Sequence, residues 1–322
     1  MDVRIRAVRR GELGQVYDLL AAAFPEAGRE LLVRQTEGDT TFRLRHGRVA
    51  VRDGRVVGYV RIFARTMMVR GRPVAVGGIG SVAVDAAFGS RGIGTALMRD
   101  AIEQMRRSGV RRAGMQRSGV RASFLFTAKT GFYERVGFRV VREPQFEAEA
   151  AACASISHAG LWDVRAMRDD DVRRMLAIYR QAIAGSTGAV VRTSRTWRDA
   201  RAWLDEDAGG CFVAERNGVM AGYVRSRERR YGRQILEAEC SPGHEGAIAA
   251  LVSAIGRRAM EHGEQVVALA PDGHPLATAL RSAGASETTG VAHPMMVLGL
   301  GEAWAGEALR SESIRFWNTD RI

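Results

Sequence analysis

The chain has 322 residues, of which 46% are hydrophobic and 26% charged, with a formal net charge of +12. That length suggests about two domains, and the composition is that of a soluble globular protein with sizeable cores. No apolar run approaches the roughly 18 residues that a membrane helix needs, and the charged N-terminal segment lacks the apolar stretch of a secretory signal.

In chain order, a short strand is expected over residues 3–8, feeding amphipathic helices over 11–23 and 27–36. Residues 48–52 and 55–65 read as a β-hairpin. Their β-branched alternation is broken by Asp53-Gly54, a dipeptide that favours a tight type I′ turn. A strand over 74–84, a helix over 92–107, a strand over 123–127, a helix over 129–135 and a strand over 138–142 complete the unit. This mixed order predicts an α/β (α+β) fold, a partly antiparallel and partly parallel sheet flanked by helices.

The pattern then recurs. Ile5-Arg6-Ala7-Val8 followed by Leu13, Val16, Leu19 and Leu20 is matched by Val164-Arg165-Ala166-Met167 followed by Val172, Met175, Ile178 and Tyr179. Further on, VAVRDGRVVGYVR (residues 49–61) is matched by VAERNGVMAGYVR (residues 213–225). Two matches in the same order indicate a duplication. The expected division is a first domain over 1–150, a joint near 146–161, a second domain over 161–300 and a tail over 301–322. The tail carries Trp304, Phe316 and Trp317, aromatics expected to dock on the body of the protein.

The chemistry-bearing stretch is GSVAVDAAFGSRGIGTAL, residues 80–97. A β-branched strand runs into a turn, and Arg91-Gly92-Ile93-Gly94-Thr95 then opens a helix. A strand, a glycine-bearing loop and a helix N-terminus together bind phosphate, because backbone N–H groups and the helix dipole point at the anion. Glycine is needed where a Cβ would obstruct that approach. About forty residues later, the apolar strand Ser123-Phe124-Leu125-Phe126-Thr127 precedes GFYERVGF, residues 131–138.

This pair of motifs resembles the GCN5-related N-acetyltransferase (GNAT) superfamily over essentially all of residues 1–150. The resemblance implies two tandem GNAT-like domains, each a mixed, mostly antiparallel twisted sheet flanked by helices. It also implies an N-acetyltransferase that moves an acetyl or short acyl group from acetyl-CoA to a primary amine by direct attack on the thioester. Val82, Ala83 and Val84 would pair with the pantetheine amides like an added strand. Gly89, Ser90, Arg91, Gly92, Ile93, Gly94 and Thr95 would hold the pyrophosphate of coenzyme A. Tyr133 would be the general acid that protonates the departing thiolate. The family signature's first Arg or Gln falls on Gly89 here, a departure expected to weaken binding without abolishing it.

The general base stays open. Residues 74–84 contain no carboxylate, and Glu134 is expected to face solvent. Glu37, Asp39 and His46 are candidates by location. MVRGRPVAVGGIGSVAV (residues 68–84) and the tandem layout also resemble the enhanced-intracellular-survival acetyltransferases. That resemblance would make the C-terminal carboxylate of Ile322 a candidate as well. In layout the chain is similar to mycothiol synthase, in which the C-terminal half is the active one.

Here the second unit has Glu245 opposite Arg91, Gly246 opposite Gly92, Ile248 opposite Gly94 and Leu280 opposite Tyr133. It therefore reads as a degenerate domain. The six histidines form no HExxH pair, so no metal site is expected. Cys153, Cys211 and Cys240 give no disulfide framework and suit a reducing, cytoplasmic setting.

The expected partner is a small-molecule or peptide amine, with no membrane; sheet edges and the tail could make a homodimer. The alternatives are an aminoacyl-tRNA-dependent transferase, which the +12 charge would suit and the intact loop argues against, and a non-catalytic acyl-CoA-binding module.

Overall fold

The computed structural model describes residues 3–89, 91–108, 119–158, 161–197, 210–229, 232–301, 303–311 and 313–320. The first unit supplies β1 (Arg4–Ala7), α1 (Leu13–Ala23), α2 (Gly28–Glu37), β2 (Gly47–Arg52), β3 (Arg55–Val69) and β4 (Arg72–Val84). After these come α3 (Ile93–Arg107), β5 (Ala122–Phe126), α4 (Thr130–Glu134) and β6 (Arg139–Val140). Every element read from the first unit's sequence is present, most of them within two residues of the expected bounds.

Three turns shape the sheets. Asp53-Gly54 and Asn217-Gly218 both have positive φ at each position, as the type I′ hairpin requires. Arg70-Gly71, with φ of 50° and 70°, makes a third such turn and extends the β3–β4 hairpin beyond its expected length. The tip of that hairpin meets the second unit. Met68 N–H donates to Ala189 O (2.8 Å), Gly188 N–H to Met68 O (2.8 Å) and Val191 N–H to Thr66 O (2.7 Å).

The chain then crosses over. β7 (Gln145–Glu149) and α5 (Ala150–Ala154) lead into the second unit. That unit holds β8 (Asp163–Ala166), α6 (Val172–Ala182), β9 (Phe212–Arg216), β10 (Val219–Arg229), β11 (Gly232–Cys240), β12 (Gln265–Leu269), β13 (Ser286–Thr288) and β14 (Met295–Gly299). Two seven-stranded sheets result, ordered β1-β2-β3-β4-β5-β14-β6 and β13-β7-β12-β11-β10-β9-β8. β7, from the first half, lies between β12 and β13 of the second sheet. β14, from the second half, lies between β5 and β6 of the first. Only β4–β5 and β11–β12 pair in parallel; every other ladder is antiparallel.

Burial explains the exchange. Phe146 of β7 and Met295, Met296 and Val297 of β14 are all fully buried. Each strand supplies apolar area that the receiving sheet would otherwise lack, and each covers a strand edge that would otherwise stay unpaired. Residues 146–161, expected to be a joint, thus begin as an interior strand. The amphipathic helix α3 buries Ile93, Leu97, Met98, Ala101, Ile102 and Met105 against one face of the first sheet. Val16, Leu20 and Leu32 of α1 and α2 cover the other face. Among the described residues, no helix is long and apolar enough to cross a membrane.

Candidate active site

β4 and β5 pair only where residues 76–78 meet 122–124, and then part. Beyond that point β4 keeps its ladder to β3 on one side, interrupted by a bulge. Gly80 faces Arg61 and Ala83 faces Tyr59, so Ser81 and Val82 together oppose Val60. Ser81 has a φ of 51°, an unfavourable backbone for a residue with a Cβ. The bulge sits where the strand must bend out of the sheet, at the fork between β4 and β5.

Below the fork is a cleft of about 380 Å³ lined by Val82, Ala83, Val84, Gly89, Gly92, Ile93, Gly94, Thr95 and Tyr133, with Phe88, Lys129, Phe132 and Arg135. Asp85 shapes its entrance by accepting from Ala87 N–H (3.0 Å) and from Arg55 Nη2 (2.8 Å). Gly92 takes φ of 77° at the N-cap of α3, a left-handed turn suited to glycine. At Gly94 a Cβ would lie 3.4 Å from Phe132 Cζ, so its absence keeps the helix end open to the cleft. Ile93, Gly94 and Thr95 begin the helix, where N–H groups have no intrahelical acceptor. Gly89 differs in that its N–H donates to Ala86 O at 3.1 Å, so that amide is already used. Arg91 places its guanidinium 5.7 Å from the Phe88 ring. Ser90 lies outside the described residues.

Tyr133 is 9% exposed and stacks edge-on against Phe132 (4.8 Å) and Phe138 (6.2 Å). Burial pushes its hydroxyl pKa up to about 12. It therefore stays protonated at neutral pH, a state fit for donating a proton.

On the other side of the fork a second cavity, of about 500 Å³, lies between the two sheets. Ser81, Arg61 and Phe63 line it from the first sheet. Gln145, Arg227, Arg229, Gln234, Val267 and Leu269 line it from the second, His293 from the loop before β14, and Asn318 and Thr319 from the tail. Of these only Arg61 had been singled out in sequence, and only as the end of a repeat. No local signal marks the others, because the cavity is assembled by the strand exchange.

None of the three base candidates from the first unit lines this cavity. Asp39 is buried beside Arg61 (2.7 Å) and Arg65 (3.6 Å) and accepts from Thr41 Oγ1 (2.6 Å). Burial raises its pKa, but Arg65, Thr41 and Arg61 outweigh that and hold it below the usual carboxylate range. Glu37 accepts from the Tyr17 hydroxyl at 3.4 Å. Burial, with Arg45, Arg43 and Arg61 nearby, lowers the His46 pKa to about 4. Glu134 is exposed, and Ile322 lies outside the described residues.

The second unit closes the corresponding end of its own helix, Gly246–Glu261. Glu245 accepts from Gly243 N–H at 2.9 Å, and the backbone N–H groups of Glu245 and Gly243 hold its carboxyl below the ordinary range. A Cβ on Gly246 would lie 3.4 Å from Trp162 Nε1, so the indole occupies that side. Ile248 and Leu280 are fully buried core residues. An indole and a carboxylate thus stand where the first unit has an open, phosphate-sized cleft.

A forked sheet whose glycine loop opens a helix beside a buried tyrosine defines an acetyltransferase of the GNAT class. Residues 4–141 match the family model described as the acetyltransferase (GNAT) domain, and the N-terminal part of this chain is such a domain.

Solved structures show the same two-unit fold at low identity. One is a GCN5-related N-acetyltransferase from Anabaena variabilis, 16% identical, with a TM-score of 0.73 over 95% of this chain and 75% of that one. Eis1 from Mycobacterium abscessus is 17% identical, with a TM-score of 0.65 over 93% and 74%. A tandem GNAT protein from the clavulanic acid biosynthesis pathway is 14% identical, with a TM-score of 0.53 over 93% and 99%. Comparison with curated proteins gives no match.

Proposed function

We propose that the chain is an acetyl-CoA-dependent N-acetyltransferase with one working donor site, formed by residues 1–150, while residues 161–300 shape the acceptor side. The observation that carries this reading is the convergence of Gly92, Gly94, the fork at Val82 and the buried Tyr133 on one cleft.

Acetyl-CoA would supply the activated acyl group as a thioester. The edge of β4 at Val82, Ala83 and Val84 would align the pantetheine arm by backbone hydrogen bonds. The N–H groups of Ile93, Gly94 and Thr95 would hold the pyrophosphate. An N–H at Val82 or Ala83, turned by the bulge, would stabilise charge developing on the carbonyl oxygen. An amine entering from the cavity beside Ser81 would attack the carbonyl carbon. The Tyr133 hydroxyl would then give its proton to the departing thiolate. For the base, His293 borders that cavity, and Asn318 and Thr319 run the tail along it toward Ile322. Removing the last three residues separates the two, because it deletes the carboxylate and leaves the imidazole.

The test is calorimetric titration with acetyl-CoA, followed by thiol release in the presence of amines. One site per chain is expected, lost in Gly92→Glu/Gly94→Glu. Tyr133→Phe should keep the binding and lower kcat by roughly 10²- to 10⁴-fold. Two sites, no site, or an unaffected Tyr133→Phe would overturn the reading.

A further inference from the structure

We infer that the acceptor is a primary amine that also carries a carboxylate, seated on Arg227 and Arg229; this rests on the transferase reading above. The argument begins with the charge on the cavity wall. Among the described residues lining it there is no Asp or Glu, whereas Arg61, Arg227 and Arg229 all reach it.

Arg61 is already matched. It is buried, paired with Asp39 at 2.7 Å, and lies 4.2 Å from the Phe63 ring and 4.8 Å from that of Phe42. Arg227 and Arg229 are placed differently. They occupy alternate positions of β10 and so share one face of the strand. Both lean on a single neutral oxygen, Gln234 Oε1, which accepts from Arg227 Nε (3.2 Å), Arg227 Nη2 (3.1 Å) and Arg229 Nε (3.2 Å). Two like charges gathered on one amide oxygen leave guanidinium N–H groups and positive potential facing the cavity. A carboxylate satisfies that geometry, since the guanidinium fork matches it bidentately.

The rest of the cavity fits the same molecule. Leu32, Phe63, Val267, Leu269 and Val291 give it an apolar waist. Ser81 and His293 lie at the first-sheet side, where the amine must meet the thioester. An amino acid with an apolar span therefore suits the wall, whereas a diamine would bring a second ammonium against two guanidiniums.

The experiment uses the full chain with acetyl-CoA and follows thiol release. The probes are ω-amino acids of two to eight carbons, each beside its amide and the diamine of the same length. At the best length the acid should exceed its amide and the diamine in kcat/KM. Arg227→Gln/Arg229→Gln should raise KM for the acid roughly ten- to a hundredfold, the scale of charged hydrogen bonds lost, without moving the acetyl-CoA Kd. If amides or diamines are acetylated as well as the acids, or the double substitution leaves the acid's KM alone, this inference is wrong and the transferase reading stands. If no amine is acetylated although acetyl-CoA binds, the transferase reading fails and this one fails with it.

Discussion

Arg192→Met tests how the C-terminal tail is held. Arg192 is 2% exposed. Its Nη1 donates to both oxygens of Glu237 (2.9 and 2.7 Å). Its Nη2 donates to Thr319 Oγ1 and Asp320 Oδ2 (both 2.6 Å), and its Nε to Asp320 Oδ1 (2.9 Å). The guanidinium also lies 4.1 Å from the Tyr179 ring. Removing it strands two buried carboxylates unequally. Glu237 keeps the Tyr223 hydroxyl, the Thr319 hydroxyl (2.5 Å) and Arg225 at 3.4 Å. Asp320 loses the guanidinium that holds both its oxygens.

Breaking such a buried pair from one side costs roughly 3–5 kcal/mol, and methionine returns part of the lost packing. A net loss of about 4 kcal/mol is expected, a large share of the roughly 5–15 kcal/mol by which domains are stable. Urea unfolding followed by tryptophan fluorescence reports it directly, since Trp197 and Trp317 both lie in this core. Adding Asp320→Asn should recover part of the loss, because it removes the orphaned charge. Because Asn318 and Thr319 line the acceptor cavity, KM for the amine should rise while acetyl-CoA binding holds. A loss below about 1 kcal/mol, or strict additivity of the two substitutions, would refute the argument.

Gly256→Ala should cost about 3 kcal/mol in urea unfolding. A Cβ there would lie 2.3 Å from Ala154 N and 2.7 Å from Ala150 O, backbone atoms that cannot turn aside. The same change at Gly11, where the added carbon meets nothing within 4 Å, is the matched control. Acid should weaken the fold in two stages. His46, held at about 4 against 6.5 when unfolded, contributes stability that is full above 6.5 and lost as pH falls toward 4. Glu12, held at about 2 chiefly by its bond to Arg6 against 4.5 when unfolded, contributes stability lost between 4.5 and 2. His46→Gln should flatten the upper stage of urea midpoint against pH and leave the lower one; an unchanged upper stage would exclude His46 as its source.

The parts of this molecule legible in sequence are those set by neighbours in sequence. Asp53-Gly54 and Asn217-Gly218 specify turns because only a few residue types take positive φ. The apolar spacing of α3 specifies its buried face, and Gly92 and Gly94 mark a helix end that must be approached closely. The missed features depend on distant partners. Gln145–Glu149 alternates apolar and polar residues like any short amphipathic stretch, and its role as an interior strand comes from β12 and β13. Ser81 bears no mark of its positive φ, since serine is not a residue that advertises one.

The strand exchange also changes what degeneracy means for the second unit. β14 is hydrogen-bonded to β5 along residues 122–126, so the fork that would receive the thioester is braced on one side by the unit without a phosphate loop. The loop preceding β14 brings His293 to the cavity, and the β10–β11 hairpin brings Arg227, Arg229 and Gln234. A duplicated domain released from binding coenzyme A could fill its own helix end with Trp162 and Glu245 and still supply the opposite wall of the acceptor cavity. On this reasoning, separating the halves near residue 142 would leave each sheet short of an interior strand. Loss of the donor cleft's own geometry, and not only of acceptor binding, is the expected consequence.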